Sequence, residues 1–118
     1  MKLILLLIVS MLSIPTFGQH TSDYEKAVVS FQKNFNAQHV DTIYNMYTPE
    51  MQESMTKEGV IRFVQGCYKQ FGDLKSITLK KTENQIHSYT AIFDKATLLM
   101  ELLLSDSGKI LSLQFQEL

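Results

Sequence analysis

Glu101 is the side chain of this sequence best placed to do chemistry. It interrupts Leu98-Leu99-Met100-Glu101-Leu102-Leu103-Leu104, an otherwise unbroken apolar run. Two placements are open. It either sits on the exposed face of an edge strand or is a carboxylate in an apolar cavity. In a cavity the neutral form would be favoured and the group could act as an isolated general base. The exposed placement is preferred, since charged residues are almost never fully buried without a partner. His87 alternates with Ile86 and is expected to be exposed or to face the interior. Whether Glu101 and His87 point into one cavity separates a ligand-binding or isomerase-type reading from a non-catalytic one. Tyr44 and Tyr47 are the candidate aromatic walls of such a pocket, with Tyr24, Tyr68, Tyr89 and the phenylalanines. An aromatic stripe at helical spacing is more often core, because a site needs apolar walls plus a few placed polar groups.

Other chemistries lack their residues. His20, His39 and His87 show no metal-ligand spacing, so no zinc site is expected. Cys67 is the only cysteine, so no internal disulfide can form. No His or cation lies beside it at helical spacing to hold a thiolate, and it reads as a small buried hydrophobe. No catalytic residue and no cofactor is expected.

Residues 1–18 place the chain. Met1-Lys2 is a short positive start, Leu3 to Leu12 is almost wholly apolar, Pro15 breaks the run, and Thr16-Phe17-Gly18 offers small residues to a signal peptidase. This is read as a secretory signal peptide cleaved between Gly18 and Gln19. The run is too short to span ~30 Å of hydrocarbon at 1.5 Å per residue. No cysteine follows it, which excludes lipoprotein processing. The expected product, residues 19–118, is one domain, secreted or periplasmic, with no membrane attachment after cleavage. Without Lys2 it carries ten basic and twelve acidic side chains, with Arg62 its only arginine. Nothing in that balance attracts nucleic acid or an anionic membrane.

The elements that position these residues follow from periodicity. Ser22-Asp23-Tyr24-Glu25 has the form of a capping box, and Tyr24, Ala27, Val28, Phe31 and Phe35 mark one helix face ending near Asn36. A short helix is expected from Asp41 as N-cap, with Ile43, Met46 and Tyr47 on its apolar side. Thr48-Pro49-Glu50 repeats a helix start. Met51 to Met55 reads as one turn, whose methionines suit an exposed rim or a core gap. Thr56 begins another helix, with Val60, Phe63, Val64, Cys67 and Phe71 on one face and Gly72 as left-handed cap. The period then changes to two. Four strands are expected, with turns at Glu83-Asn84-Gln85, Phe93-Asp94-Lys95 and Ser105-Asp106-Ser107-Gly108. Leu98 to Leu104 could also be a buried helix, but the hairpin signal after it favours a strand. The fold class is therefore α+β, with N-terminal helices packed on a four-stranded antiparallel sheet.

Phe35-Asn36-Ala37-Gln38, the run Ile43 to Met51 and Phe71-Gly72-Asp73-Leu74, with the closing stretch Gly108 to Phe115, resemble a bacterial secreted domain-of-unknown-function family of the nuclear transport factor 2-like (cystatin-like) superfamily. The resemblance covers about Tyr24 to Phe115 and implies that superfamily's cone-shaped fold. Its motifs are structural. Members often precede a serine hydrolase or α/β-hydrolase, but this chain has no Gly-x-Ser-x-Gly and no Ser-x-x-Lys leading into a catalytic domain, so hydrolysis is not carried over. A cystatin-type inhibitor would need a Gln-x-Val-x-Gly loop, which is absent. The expected function is a non-catalytic binding domain. Its partner would be an unidentified protein or a second copy, met through the sheet face. The alternative is a small apolar ligand, bound or isomerised in a cone pocket lined by Glu101, His87, Tyr44 and Tyr47.

Overall fold

A computed structural model describes residues 21–118. The expected signal peptide, the expected Gly18/Gln19 cleavage site and His20 lie outside the described residues. A helix over residues 21–37 (α1) is followed by α2 (Val40–Asn45) and α3 (Pro49–Phe71). The strands β1 (Leu74–Glu83), β2 (Ile86–Phe93), β3 (Thr97–Leu104) and β4 (Ile110–Glu117) form one antiparallel sheet in chain order. The architecture is α+β, as the change of period implies.

The helix boundaries show where local signals were outweighed. Thr21 and Ser22 are already helical, so Ser22 is not an N-cap. The α1 exit lies at Gln38 (φ 58°) and not at Asn36. His39 N–H donates to Asn34 O (2.9 Å) and Gln38 N–H to Phe35 O (3.1 Å), the paired bonds of a Schellman motif. Asn36 serves the sheet instead. Its side chain donates to Leu74 O (2.9 Å) and accepts from Leu74 N–H (2.7 Å), fixing α1 to the start of β1. His39, not Asp41, occupies the N-cap position of α2, with no side-chain cap. Asp41 pairs with Lys57 across to α3 (2.7 Å). Thr48 caps α3 as expected, its Oγ1 accepting from Met51 N–H (3.2 Å) with Pro49 in the first turn. α3 kinks at Thr56, where the sequence places the start of a second helix.

Gly72 ends α3 at φ 83°, ψ −157°, a conformation open in practice only to glycine. Its ψ lies outside the left-handed helical well that the sequence suggests. The close approach of Asp94 adds a second constraint, since a Cβ at residue 72 would lie 2.7 Å from Asp94 Oδ2. That oxygen accepts from Asp73 N–H (2.8 Å), and Asp94 also pairs with Lys75 (3.3 Å). These two partners, the backbone bond first, hold the Asp94 carboxyl below its ordinary range. The β1–β2 turn has Asn84 and Gln85 both at positive φ, as a two-residue type I′ connection requires.

The core lies between the helices and one sheet face. Phe35 is fully buried and meets Phe93 (5.7 Å, edge-on) and Tyr68 (5.9 Å). Phe93 in turn meets Phe115 (5.5 Å), which stacks on Phe63 (5.9 Å). Along β3 the burial alternates, with Leu98, Met100, Leu102 and Leu104 buried and Leu99, Glu101 and Leu103 only partly so. Truncating a ring such as Phe35 would cost about 3–5 kcal/mol. The outer end of α2 is joined to the sheet edge. Ile110 N–H donates to Met46 O (2.8 Å) and Thr48 N–H to Ile110 O (3.0 Å).

Candidate functional site

Glu101 occupies the outer face of β3, a central strand and not an edge. The register places it opposite Ser88 on β2 and Gln114 on β4. Its Oε1 accepts from Gln116 Nε2 (2.8 Å). A shallow groove of about 100 Å³ runs beside it, lined by Ile86, Leu103, Ser112 and Gln114. The carboxylate is half-exposed in a polar setting, and no apolar cavity encloses it. It has an acceptor's role there.

His87 pairs with Leu102 and so points to the opposite, core-facing side. Its ring stacks on Tyr24 (centroids 3.6 Å, planes 8° apart), and Nδ1 lies 3.3 Å from Tyr89 Oη. Burial lowers the affinity of this imidazole for a proton. Burial likewise pushes the Tyr89 hydroxyl up to about 12, with Tyr24 and Glu25 adding to it. The neutral cluster is therefore the favoured one. Tyr24 Oη donates to Gln85 O (2.8 Å) and accepts from Leu104 N–H (3.0 Å), so a single hydroxyl ties α1 to the β1–β2 turn and to the end of β3. The helical pattern marks Tyr24 only as a core position. Nothing in the sequence signals its two long-range hydrogen bonds.

Tyr44 and Tyr47 stand at a third place. Tyr44 is half-buried on α2, and its carbonyl accepts from Gln52 Nε2 (3.0 Å). Tyr47 is 2% exposed and forms the bridge to Ile110. Burial, with Cys67 nearby, pushes its hydroxyl up to about 12. The Cys67 thiol is half-buried against the core and is also pushed up by burial, which keeps it protonated and a poor nucleophile. The four expected pocket residues thus divide between the outer sheet face, the inner sheet face and the α2 end. The space between helices and sheet where they would have met is filled by the aromatic cluster of Phe31, Phe35, Phe63, Phe93 and Phe115.

Ser30–Lys33 and Ser54–Lys57 share the Ser-x-x-Lys spacing. However, Ser30 Oγ donates to Met46 Sδ (3.7 Å) and Lys57 is taken by Asp41. Among the described residues no three His, Cys, Asp or Glu side chains gather into a possible metal site. An open depression of about 370 Å³ between α1, α2 and the β3–β4 turn is lined by Asp23, Lys26, Asn45 and Lys109, the last donating to Asn45 O (2.9 Å).

The outer sheet face is the remaining extended feature. Its cross-strand rows read Glu83, Ile86, Leu103, Ser112; then Lys81, Ser88, Glu101, Gln114; then Thr78, Thr90, Leu99, Gln116. Ile92 adds an apolar side chain 41% exposed. Sequence reasoning singled out Glu101 here. It did not place Thr90, Gln114 and Gln116 beside it, although Gln114 and Gln116 alternate with Leu113 and Phe115 and mark that face of β4.

Fold and surface together describe a small α+β domain built around a filled core, with a mixed apolar and amide-rich outer sheet face that is largely half-buried. By sequence the chain belongs to the family described as a protein of unknown function (DUF3887), whose pattern matches residues 28–113. No curated protein and no solved structure matches it.

Proposed function

We propose that this is a secreted, non-catalytic domain that self-associates through the outer face of its sheet. The observation that carries this is the composition and accessibility of that face. Ile92 is exposed there, and Ile86, Leu99 and Leu103 are half-buried among Ser, Thr and Gln. Interface centres are depleted in charge and keep a share of polar groups that can pair across the contact. Here Glu101 is already partnered by Gln116, and Lys81 lies toward the edge strand β1. A second copy offers the same surface and can satisfy it isologously. The arrangement of helices on one face of an open antiparallel sheet also fits the nuclear transport factor 2-like cone. Secretion rests on the composition of residues 1–18. No helix among the described residues is long and apolar enough to cross a membrane.

The test is light scattering and intact mass on protein recovered from outside the cytoplasm. The expected result is a dimer at high micromolar concentration with a mass beginning at Gln19. A strict monomer at that concentration would overturn self-association, and a mass that retains Met1–Gly18 would overturn cleavage.

A further inference from the structure

Thr48 and Thr56 invite direct comparison. Each begins a helical segment, and each hydroxyl accepts from the N–H three residues on, Met51 and Gly59, at 3.2 Å. Their ψ angles are 158° and 160°, the extended value an N-cap adopts. Their φ angles are −64° and +56°. Thr56 is thus an N-cap in every respect but the sign of one dihedral. Positive φ with extended ψ is a region held almost entirely by glycine, and for a β-branched residue it stores strain.

The segment between them is short. Residues 49–55 make too few turns to be stable as an isolated helix, so their conformation depends on contacts. Those contacts are few. Met51 and Met55 are half-buried against the core cluster, and Gln52 reaches the Tyr44 carbonyl. Pro49, Glu50, Glu53 and Ser54 face solvent. Beyond the hinge, Val60 and Val64 are fully buried in the core, so the long part of α3 stays in place if the segment moves.

We propose that residues 49–55 are a strap that opens by rotation about the N–Cα bond of Thr56, toward the φ that Thr48 already shows. Thr48-Pro49 supplies the compensating turn at the other end. The rotation keeps the Thr56–Gly59 cap, releases the strain, and presents Met51 and Met55 as adaptable apolar surface. The closed form is held by methionine packing and one amide hydrogen bond. The device lies on the helical side and is independent of the sheet-face reading.

Glycine at residue 56 removes the penalty of the closed form, whereas alanine keeps it, and both lack the hydroxyl. The experiment is amide hydrogen exchange on Thr56→Gly and Thr56→Ala proteins, which alter an exposed position and lose the hydrogen bond from Gly59 N–H alike. The amides of Glu53, Ser54 and Met55 should exchange about tenfold more slowly in the glycine variant, the scale of the strain at such a residue. In the parent protein they should exchange faster than the amides of Val64 to Tyr68. Equal rates in the two variants, or protection of residues 53–55 matching that of residues 64–68 in the parent, would overturn the strap.

Discussion

Replacing Tyr24 by Phe removes one oxygen and leaves the ring. The stack on His87 at 3.6 Å is kept, so the loss is confined to two hydrogen bonds. The two ends differ. Gln85 is exposed, and water can take over at its carbonyl. Leu104 is buried, and its N–H loses its acceptor. An orphaned buried donor costs about 1–3 kcal/mol, so the expected destabilisation is about 2 kcal/mol, nearly all from Leu104. For a domain of this length that lowers Tm by roughly 8–16 °C. Urea unfolding followed by circular dichroism is suited to a chain without tryptophan. The midpoint should fall by about 1 M at an unchanged slope. A loss below ~0.5 kcal/mol, the range of ordinary surface substitutions, would show that the Tyr24 hydroxyl does not bridge α1 and β3.

Cys67→Ser should destabilise by about 1 kcal/mol, read as a lower Tm, because a hydroxyl replaces a thiol that packs against the core. His87 binds a proton less readily when folded, so the unfolded chain takes up more protons and stability is present above the unfolded value of about 6.5. It is lost as pH falls from there toward the lower folded value, and His87→Phe should flatten that part of a stability-against-pH curve. Gln85→Gly should stabilise by about 0.5–1 kcal/mol in denaturant titration, since residue 85 sits at φ 70° and relief of the left-handed penalty outweighs the extra unfolded-chain entropy of glycine. Glu101→Gln should shift the unfolding free energy by less than ~0.5 kcal/mol, since the side chain is half-exposed and its amide partner can still pair.

The sheet was legible because its signals are local. Leu98, Met100, Leu102 and Leu104 alternate with Leu99, Glu101 and Leu103, and Gly108 supplies the positive φ of the last hairpin. The same holds for Thr48-Pro49 and for the break at Thr56. Asn36 and Asp41 were misread because each side chain is engaged by a partner distant in sequence, Leu74 and Lys57, which its residue type does not announce. The candidate site was less legible. Period two puts Glu101 on one face and His87 on the other only once the β2–β3 register is known, and two adjacent strands do not reveal their register without the turn geometry. The filling of the interior depends on five phenylalanines from α1, α3, β2 and β4 meeting in space, which no single segment encodes.

Sedimentation velocity on residues 19–118 beside a Leu99→Lys, Leu103→Lys double variant tests self-association through the sheet face. Both residues lie on the outer face of β3 and neither belongs to the buried core. The expected result is a concentration-dependent dimer for the parent and a folded monomer for the variant, because four lysines facing one another across a two-fold contact repel. A parent that stays monomeric, or a variant that dimerises as the parent does, would contradict it.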